Sequence, residues 1–184
     1  MMRIIGGEFG SRKIESPPPA SARPTKDRVR EAVFSMIAGR VEGSRVLDLF
    51  SGSGAYGLEA LSRGAESCVF VENNPECAGV IFGNISKFKV EDRTKIKRVD
   101  VVDYLEYLGK KGEKFDIIFS DPPYSLGISR NILIIIGQYD ILGHSGLLIA
   151  EHGSKENISE GKGDVSIYRQ KSYGVTSISI FLKQ

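Results

Sequence analysis

From residue 45 onward one unit recurs along the chain: a short apolar run, a glycine-rich or polar turn, then apolar residues at helical spacing. The runs Arg45–Phe50, Ser67–Glu72, Lys95–Val99, Phe115–Ser120 and Gly146–Glu151 predict five strands. Between them the spacing predicts helices over Tyr56–Arg63, Pro75–Phe88 and Val102–Leu108, and a further helix within 128–139. Ile132 to Ile136 is β-branched and argues partly against that last helix. Strands apolar on both faces belong in a parallel sheet covered by helices, so the fold class is α/β. The end of the chain breaks the rhythm. Val165–Gln170 and Val175–Leu182 alternate with period two, and only Lys171–Gly174 lies between them. That gap cannot hold a crossover helix and predicts an antiparallel hairpin.

Upstream, Ile4-Ile5 and Lys13-Ile14 form the arms of a predicted hairpin around Gly6-Gly7 and Gly10-Ser11. Pro17-Pro18-Pro19 then predicts a stiff extended connector. Residues 1–22 are therefore expected as an N-terminal appendage and 23–184 as the main domain. In Lys26–Ile37, Val29, Ala32, Val33, Met36 and Ile37 recur at helical spacing, with Thr25 as the expected N-cap. Arg28, Arg30 and Glu31 are expected on the opposite, solvent face.

Composition changes this picture little. With 41% hydrophobic and 26% charged residues the chain reads as an ordinary globular protein. It shows no apolar run near membrane-spanning length and no signal-peptide pattern, which predicts a cytoplasmic location. Cys68 and Cys77 are too few for a disulfide scaffold or zinc cage and are expected as buried, reduced thiols. His144 and His152 have no catalytic partner pattern and are expected as surface or loop residues. The net charge of +2 is small, but residues 1–45 carry nine cations against five acids. Lys87–Arg98 adds six cations against Glu91 and Asp92. Local patches of this kind can bind phosphates on an otherwise neutral surface.

Candidate chemistry lies at the strand ends. Val46–Gly54 places a glycine-rich turn directly after the first strand, where backbone N–H groups can approach a ligand. Asp48, an acid within an apolar strand end, can accept hydrogen bonds from that turn or, through water, from an amino-acid ammonium. Gly52-Ser53-Gly54-Ala55-Tyr56-Gly57 also fits the dinucleotide fingerprint G-x-G-x-x-G, with Glu72 at the ribose position. Asp48 and the lack of room for a dehydrogenase substrate domain tilt the choice toward a methyltransferase. Glu72 offers two acceptors to a ribose diol. Asp100 is a candidate acceptor for an adenine amino group or, alternatively, a helix N-cap.

Phe115–Tyr124 is the most specific stretch. An exocyclic base amine is a poor nucleophile because its lone pair is delocalised into the ring. Asp121 and the Pro122 carbonyl can accept its two protons and aim the lone pair, while Pro122 and Pro123 fix the loop. Tyr124 offers a stacking face for the base. No metal is required for such a transfer.

These segments together resemble the RsmD-type bacterial methyltransferases. The resemblance rests on Arg3–Gly7, Arg23–Ala32, Leu47–Gly54, Gly57–Ala65 and Asp121–Tyr124, and it covers nearly the whole chain. It implies a class I S-adenosylmethionine-dependent methyltransferase fold, Rossmann-like, with seven strands and the last inserted antiparallel between strands five and six. It implies methylation of a guanine N2 amine in 16S rRNA, within the assembled or assembling small ribosomal subunit. The cofactor would lie on Asp48, Ser51, Gly52, Ser53, Gly54, Glu72, Asn73, Asp100, Val101 and Asp121. RNA would meet Arg3, Arg12 and Lys13 of the hairpin, and Arg23, Thr25, Arg28 and Arg30. A monomer without an obligate protein partner is expected. Ser51 and Tyr56 depart from the family pattern, which favours alanine and a smaller aliphatic residue at those places. Rival readings are a DNA amino methyltransferase, a glutamine methyltransferase and an assembly factor without turnover. The chain is expected to leave no room for a DNA-reading domain.

Overall fold

The computed structural model describes residues 2–17, 27–123, 127–156, 158 and 164–184. Its elements run α1 (Asp27–Met36), β1 (Arg45–Leu49), α2 (Ala55–Ser62), β2 (Ser67–Val71), α3 (Pro75–Phe88), β3 (Thr94–Lys97), α4 (Val101–Lys111), β4 (Phe115–Ser120), α5 (Ile128–Gln138), β5 (Leu142–Gly153), β6 (Val165–Tyr173) and β7 (Thr176–Lys183). The strands form one seven-stranded sheet in the order β3-β2-β1-β4-β5-β7-β6. Pairing is parallel from β3 through β5, and β7 is antiparallel to both β5 and β6. The first three strands progress outward in one direction, and β4 returns to the other side of β1. Sheets of this kind bind ligands at such a reversal, beyond the carboxyl ends of the strands. That places the crevice between the ends of β1 and β4.

Two apolar clusters sandwich the sheet. Val46, Phe70, Ile117, Phe119, Ile149, Ile178 and Ile180 pack with α1, α2 and α3 on one face. Leu47, Leu49, Ile118, Leu148 and Phe181 pack with α4 and α5 on the other. This two-faced burial explains the near-continuous apolar strands. It also settles α5: Ile132, Leu133 and Ile136 turn one stripe into the second cluster, and that burial outweighs their β-branched preference. β5 is longer than its apolar run predicts. Four residues of β5, Gly143 to Gly146, lie opposite the single Asp116 of β4 between the Phe115–Leu142 and Ile117–Leu147 pairs. The predicted strand began only at Gly146. β6 likewise continues to Tyr173, and the chain reverses at Gly174 (φ +65°) and Val175.

The N-terminal hairpin forms as predicted, through an Arg3–Lys13 bridge and the backbone bonds Ile4 N–H to Arg12 O and Ile14 N–H to Met2 O. It is part of the main body, because Met2, Ile4, Phe9 and Ile14 are buried in the first cluster. A polar seam fixes its position on α2. Glu59, with no side-chain exposure, accepts from Ile5 N–H (2.7 Å) and Gly6 N–H (2.9 Å). Ser62 accepts from Phe9 N–H (2.8 Å) and donates to the Gly6 carbonyl (2.6 Å). Gly7 (φ +77°) admits no side chain, since a Cβ there would lie 1.9 Å from the Ser62 carbonyl oxygen.

One expectation fails here. Arg30 is not on a solvent face beside Arg28; it is wholly buried, donates to Asp27 (3.0 Å) and to the Arg3 carbonyl, and faces Glu59 at 3.6 Å. Arg63 completes the cluster at 2.8 Å from Glu59. A buried carboxylate and two guanidiniums thus tie α1, α2 and the hairpin together. Removing one partner of such a pair costs about 3–5 kcal/mol.

Candidate active site

The turn after β1 is built from three conformationally demanding positions. Phe50 (φ 55°), Gly52 (φ 56°) and Gly54 (φ 77°) all adopt left-handed backbone, which is unusual for a phenylalanine. Gly57 serves packing instead, because a Cβ there would sit 2.3 Å from the Phe70 ring and 2.6 Å from Cys68 Sγ. α2 therefore lies directly against β2. Its N-cap, Gly54, offers no side chain to the buried first-turn amides. Asp48 supplies the missing acceptor from the strand below, with Oδ2 3.0 Å from Gly57 N. Burial pushes the Asp48 carboxyl well above the usual carboxylate range, and the negative charges of Asp121 and Glu72 push it further.

The turn is pinned to β2 by two side chains. Ser51 Oγ donates to the Asp48 carbonyl (2.5 Å) and accepts from Val71 N–H (3.0 Å). The serine at this position therefore holds two strand ends together, a role alanine cannot play. Glu72 accepts from Gly52 N–H through one oxygen and from Asn74 N–H through the other, both at 2.9 Å. Its two carboxylate oxygens retain further lone pairs toward the crevice. Ser53 is buried, and its carbonyl accepts from Asn84 Nδ2 (3.0 Å). The exposed Asn73 follows Glu72 in the chain, and Asn74 caps α3.

Asp100 is the N-cap of α4; its Oδ1 accepts from Val102 N–H (2.8 Å) and Asp103 N–H (3.4 Å). Val101 behind it is buried. Asp48, Glu72 and Asp100 thus stand at the ends of three successive strands, or just beyond them. Among the described residues they do not converge with other acids, His or Cys into a metal-ligand group. Such a row of separate acceptors suits an elongated ligand with several polar parts.

β4 ends at Ser120, and Asp121 follows, half-buried at the reversal point. Pro122 is buried and Pro123 exposed; Tyr124 lies outside the described residues. Ser120 Oγ is buried without a hydrogen-bond partner among the described residues. Beneath the loop, Tyr56 stacks on Phe119 (4.8 Å, 18°), and its hydroxyl lies 3.4 Å from Glu151 Oε2. Burial, with Glu151 and Asp121 nearby, raises the Tyr56 hydroxyl well above its ordinary value. The Tyr56–Glu151 contact beside the loop was not anticipated from sequence, although Tyr56 was noted as a departure. Its signal was an oversized side chain at a position where a small one was expected.

The remaining positions fall as follows. Arg3, Arg12, Lys13 and Arg28 are exposed, and Arg23 and Thr25 lie outside the described residues. Arg12 is already engaged, 4.5 Å over the Phe88 ring and donating to the Lys87 carbonyl (2.7 Å). Arg30 is buried and leaves the set of RNA-facing candidates. Cys68 and Cys77 are buried free thiols. His144 is exposed, whereas His152, also expected at the surface, is 2% exposed and bonded to Ser179 Oγ (2.9 Å). Among the described residues no helix is long and apolar enough to cross a membrane.

Strand order, the reversed β7 and the glycine turn between acidic strand ends define the fold of class I methyltransferases. The model of the family "Conserved hypothetical protein 95" matches residues 2–182. A Bacillus subtilis relative, "Putative rRNA methyltransferase YlbH", is 35% identical over 100% of both chains. The "Ribosomal RNA small subunit methyltransferase D" of Escherichia coli is 30% identical, over 100% of this chain and 90% of its own. The solved structure "Putative methyltransferase yhhF from Escherichia coli" superposes with a TM-score of 0.86 at 27% identity, covering 100% and 98% of the two chains. The chain belongs to this family, and the RsmD-type resemblance read from its motifs is borne out.

Proposed function

We propose that this protein transfers a methyl group from S-adenosylmethionine to the N2 amine of a guanine in 16S rRNA of the small ribosomal subunit. The observation that carries the reading is the position of Asp121-Pro122-Pro123. The loop ends β4 at the sheet's reversal point, across from the Asp48 and Ser51–Gly54 turn that ends β1. Amine-orienting acceptors and a cofactor turn are thereby set face to face, as positioning catalysis demands. The relatives named for rRNA methylation supply the substrate class.

The donor set fits the cofactor. Glu72 would accept from the ribose hydroxyls with its remaining lone pairs, Asp100 from the adenine amine with its second oxygen, and the backbone of Ser51–Gly54 would hold the amino-acid end. Asn73 and Val101 flank the adenosine, and Asp48 reaches the ammonium through water. When bound, S-adenosylmethionine supplies a methyl group already activated by its sulfonium. Asp121 and the Pro122 carbonyl accept the two amine protons of the base and aim its lone pair. Tyr124 stacks on the ring. Transfer would break the sulfur–methyl bond and leave neutral S-adenosylhomocysteine, while the Asp121 carboxylate would stabilise the cationic nitrogen until its proton passes to solvent water. Arg3, Lys13 and Arg28 are the exposed cations proposed to meet RNA, together with Arg12, Arg23 and Thr25; the enzyme acts as a cytoplasmic monomer.

The test is to incubate the protein with labelled cofactor and small subunits lacking the modification, then map the product by mass spectrometry. The expected product is one N2-methylguanosine in 16S rRNA. Label on adenine, on duplex DNA or on protein would overturn the substrate assignment.

A further inference from the structure

The edge strand β6 carries features that neither the sheet nor the site just described uses. Ser166 through Ser172 are exposed, including Ile167 (41%) and Tyr168 (51%), and Val175 at the following turn is 81% exposed. From Val165 to the C-terminal Gln184 the chain contains Arg169, Lys171 and Lys183 and not one acid. Two of those cations sit beside tyrosines: Arg169 lies 5.7 Å from the Tyr168 ring centre and Lys171 5.5 Å from that of Tyr173. Two tyrosines flanking two cations on an open strand, with Tyr168 the extra residue where the β6–β7 register shifts between Ile167 and Arg169, form a stacking and phosphate-binding surface.

Register places this strip beside the chemistry. Gln170 pairs with Ser179, Ser179 with Ala150, and Ala150 with Ser120, one residue before Asp121. Lys171 and Tyr173 therefore lie level with the catalytic loop and beyond it on the carboxyl edge of the sheet. Three strand spacings separate β6 from β4, about 14 Å, the span of a few nucleotides. Arg169 and Lys171 pair with Ile180 and Ile178, whose side chains belong to the α1–α3 face. They share that face with Arg28-bearing α1.

We infer that β6 is a second RNA-binding surface, on which Tyr168, Arg169 and Lys171 hold the single-stranded tract flanking the target nucleotide. The tyrosine stacks a base, and the two cations meet backbone phosphates. This inference rests on the rRNA reading above. A lysine on an edge strand also guards against pairing with another chain, but guarding the edge does not call for exposed tyrosines beside the cations or the absence of acids over twenty residues.

The test compares wild type with the double variant R169E/K171E, and separately with Tyr168→Ala, on small subunits lacking the modification. For the double variant the expected result is a KM about tenfold higher or more, an unchanged kcat, and a salt dependence of binding shallower by roughly 1.4 in log–log slope. Tyr168→Ala is expected to raise KM about fivefold or more. Cofactor affinity measured by calorimetry should match wild type in both, showing an intact fold. Wild-type KM and salt slope in both variants, with an active wild type, would overturn this inference alone. A wild type that neither binds nor methylates the subunit would remove the rRNA reading and this inference together. A wild-type dimer that R169E/K171E converts to monomer with unchanged KM would assign the strip to a second copy of the chain instead.

Discussion

The N-terminal hairpin and the β6–β7 hairpin both flank the parallel sheet, yet they are attached by different means. The first has little core of its own and is held by a buried charged cluster, with Glu59 accepting two of its amides between Arg30 and Arg63. The second extends the sheet through backbone pairing, with one irregularity between Ile167 and Arg169, and makes no buried ion pair among the described residues. The polar side chains that join it are neutral, among them a Ser172–Ser177 hydroxyl pair (2.8 Å) and a chain through Ser179. Gln170 Nε2 donates to Ser179 Oγ (3.0 Å), which leaves the Ser179 proton for His152 Nε2 and the Nδ1–H for the Gly153 carbonyl (3.0 Å). The contrast shows that charge near a chain end does not mark a free binding arm. In this protein the most basic terminal segment is partly spent on holding itself in place, while the strand whose cations make no ion pair among the described residues lies at the other end.

Breaking the charged seam should have the largest effect. Glu59→Ala leaves Arg30 buried beside no carboxylate but Asp27, and denaturant unfolding should show a loss of about 3–5 kcal/mol. Hydrogen exchange at the Ile5 and Gly6 amides should accelerate with it. A loss below about 1 kcal/mol, the scale of a single ordinary hydrogen bond, would show that the cluster does not anchor the hairpin.

The neutral seam predicts a smaller, pH-dependent effect. Burial lowers the His152 pKa below its ordinary value. The unfolded chain therefore takes up a proton near pH 6.5 that the folded chain refuses until lower pH. Stability contributed by the neutral imidazole is present above pH 6.5 and declines as pH falls toward the folded value, by at most about 1.4 kcal/mol per pH unit. Unfolding curves between pH 5 and 8 should show this slope in wild type and lose it in His152→Asn. An identical slope in both proteins would assign it elsewhere. The smallest effect on stability belongs to R169E/K171E, which alters only exposed side chains and should stay within about 0.5 kcal/mol of wild type. A larger loss would mean that β6 is held by more than its backbone pairing.

Much of the fold was legible because periodicity reports burial directly. Four of the parallel strands are largely apolar, the edge strand β3 carries Lys95 and Lys97 around Ile96, and the terminal pair alternates, so strand type and order of appearance followed from the pattern. Failures came where one residue's environment is set by distant chain. Arg30 stands between Val29 and Val33 and reads as the border of a solvent face; Glu59, which explains its burial, lies 29 residues away. A sign was available, since α2 is buried along its whole length and a carboxylate in such a helix demands a partner. His152 was misplaced because β5 runs past its apolar stretch into polar residues that β7 covers. The glycine turn, Asp48, Glu72 and Asp121 were singled out from type and spacing, and the fold sets them at or just beyond the ends of neighbouring strands. The Tyr56–Glu151 contact was not singled out, because it joins residues 95 positions apart through a hydrogen bond at 3.4 Å that no local pattern encodes.

The central claim is that the carboxylate at position 121 orients the accepting amine. Single-turnover methyl transfer to unmodified small subunits by Asp121→Ala, with cofactor affinity measured alongside, tests it most directly. Transfer should slow by about 10²- to 10³-fold or more, with cofactor affinity close to that of wild type. Transfer at the wild-type rate would contradict it.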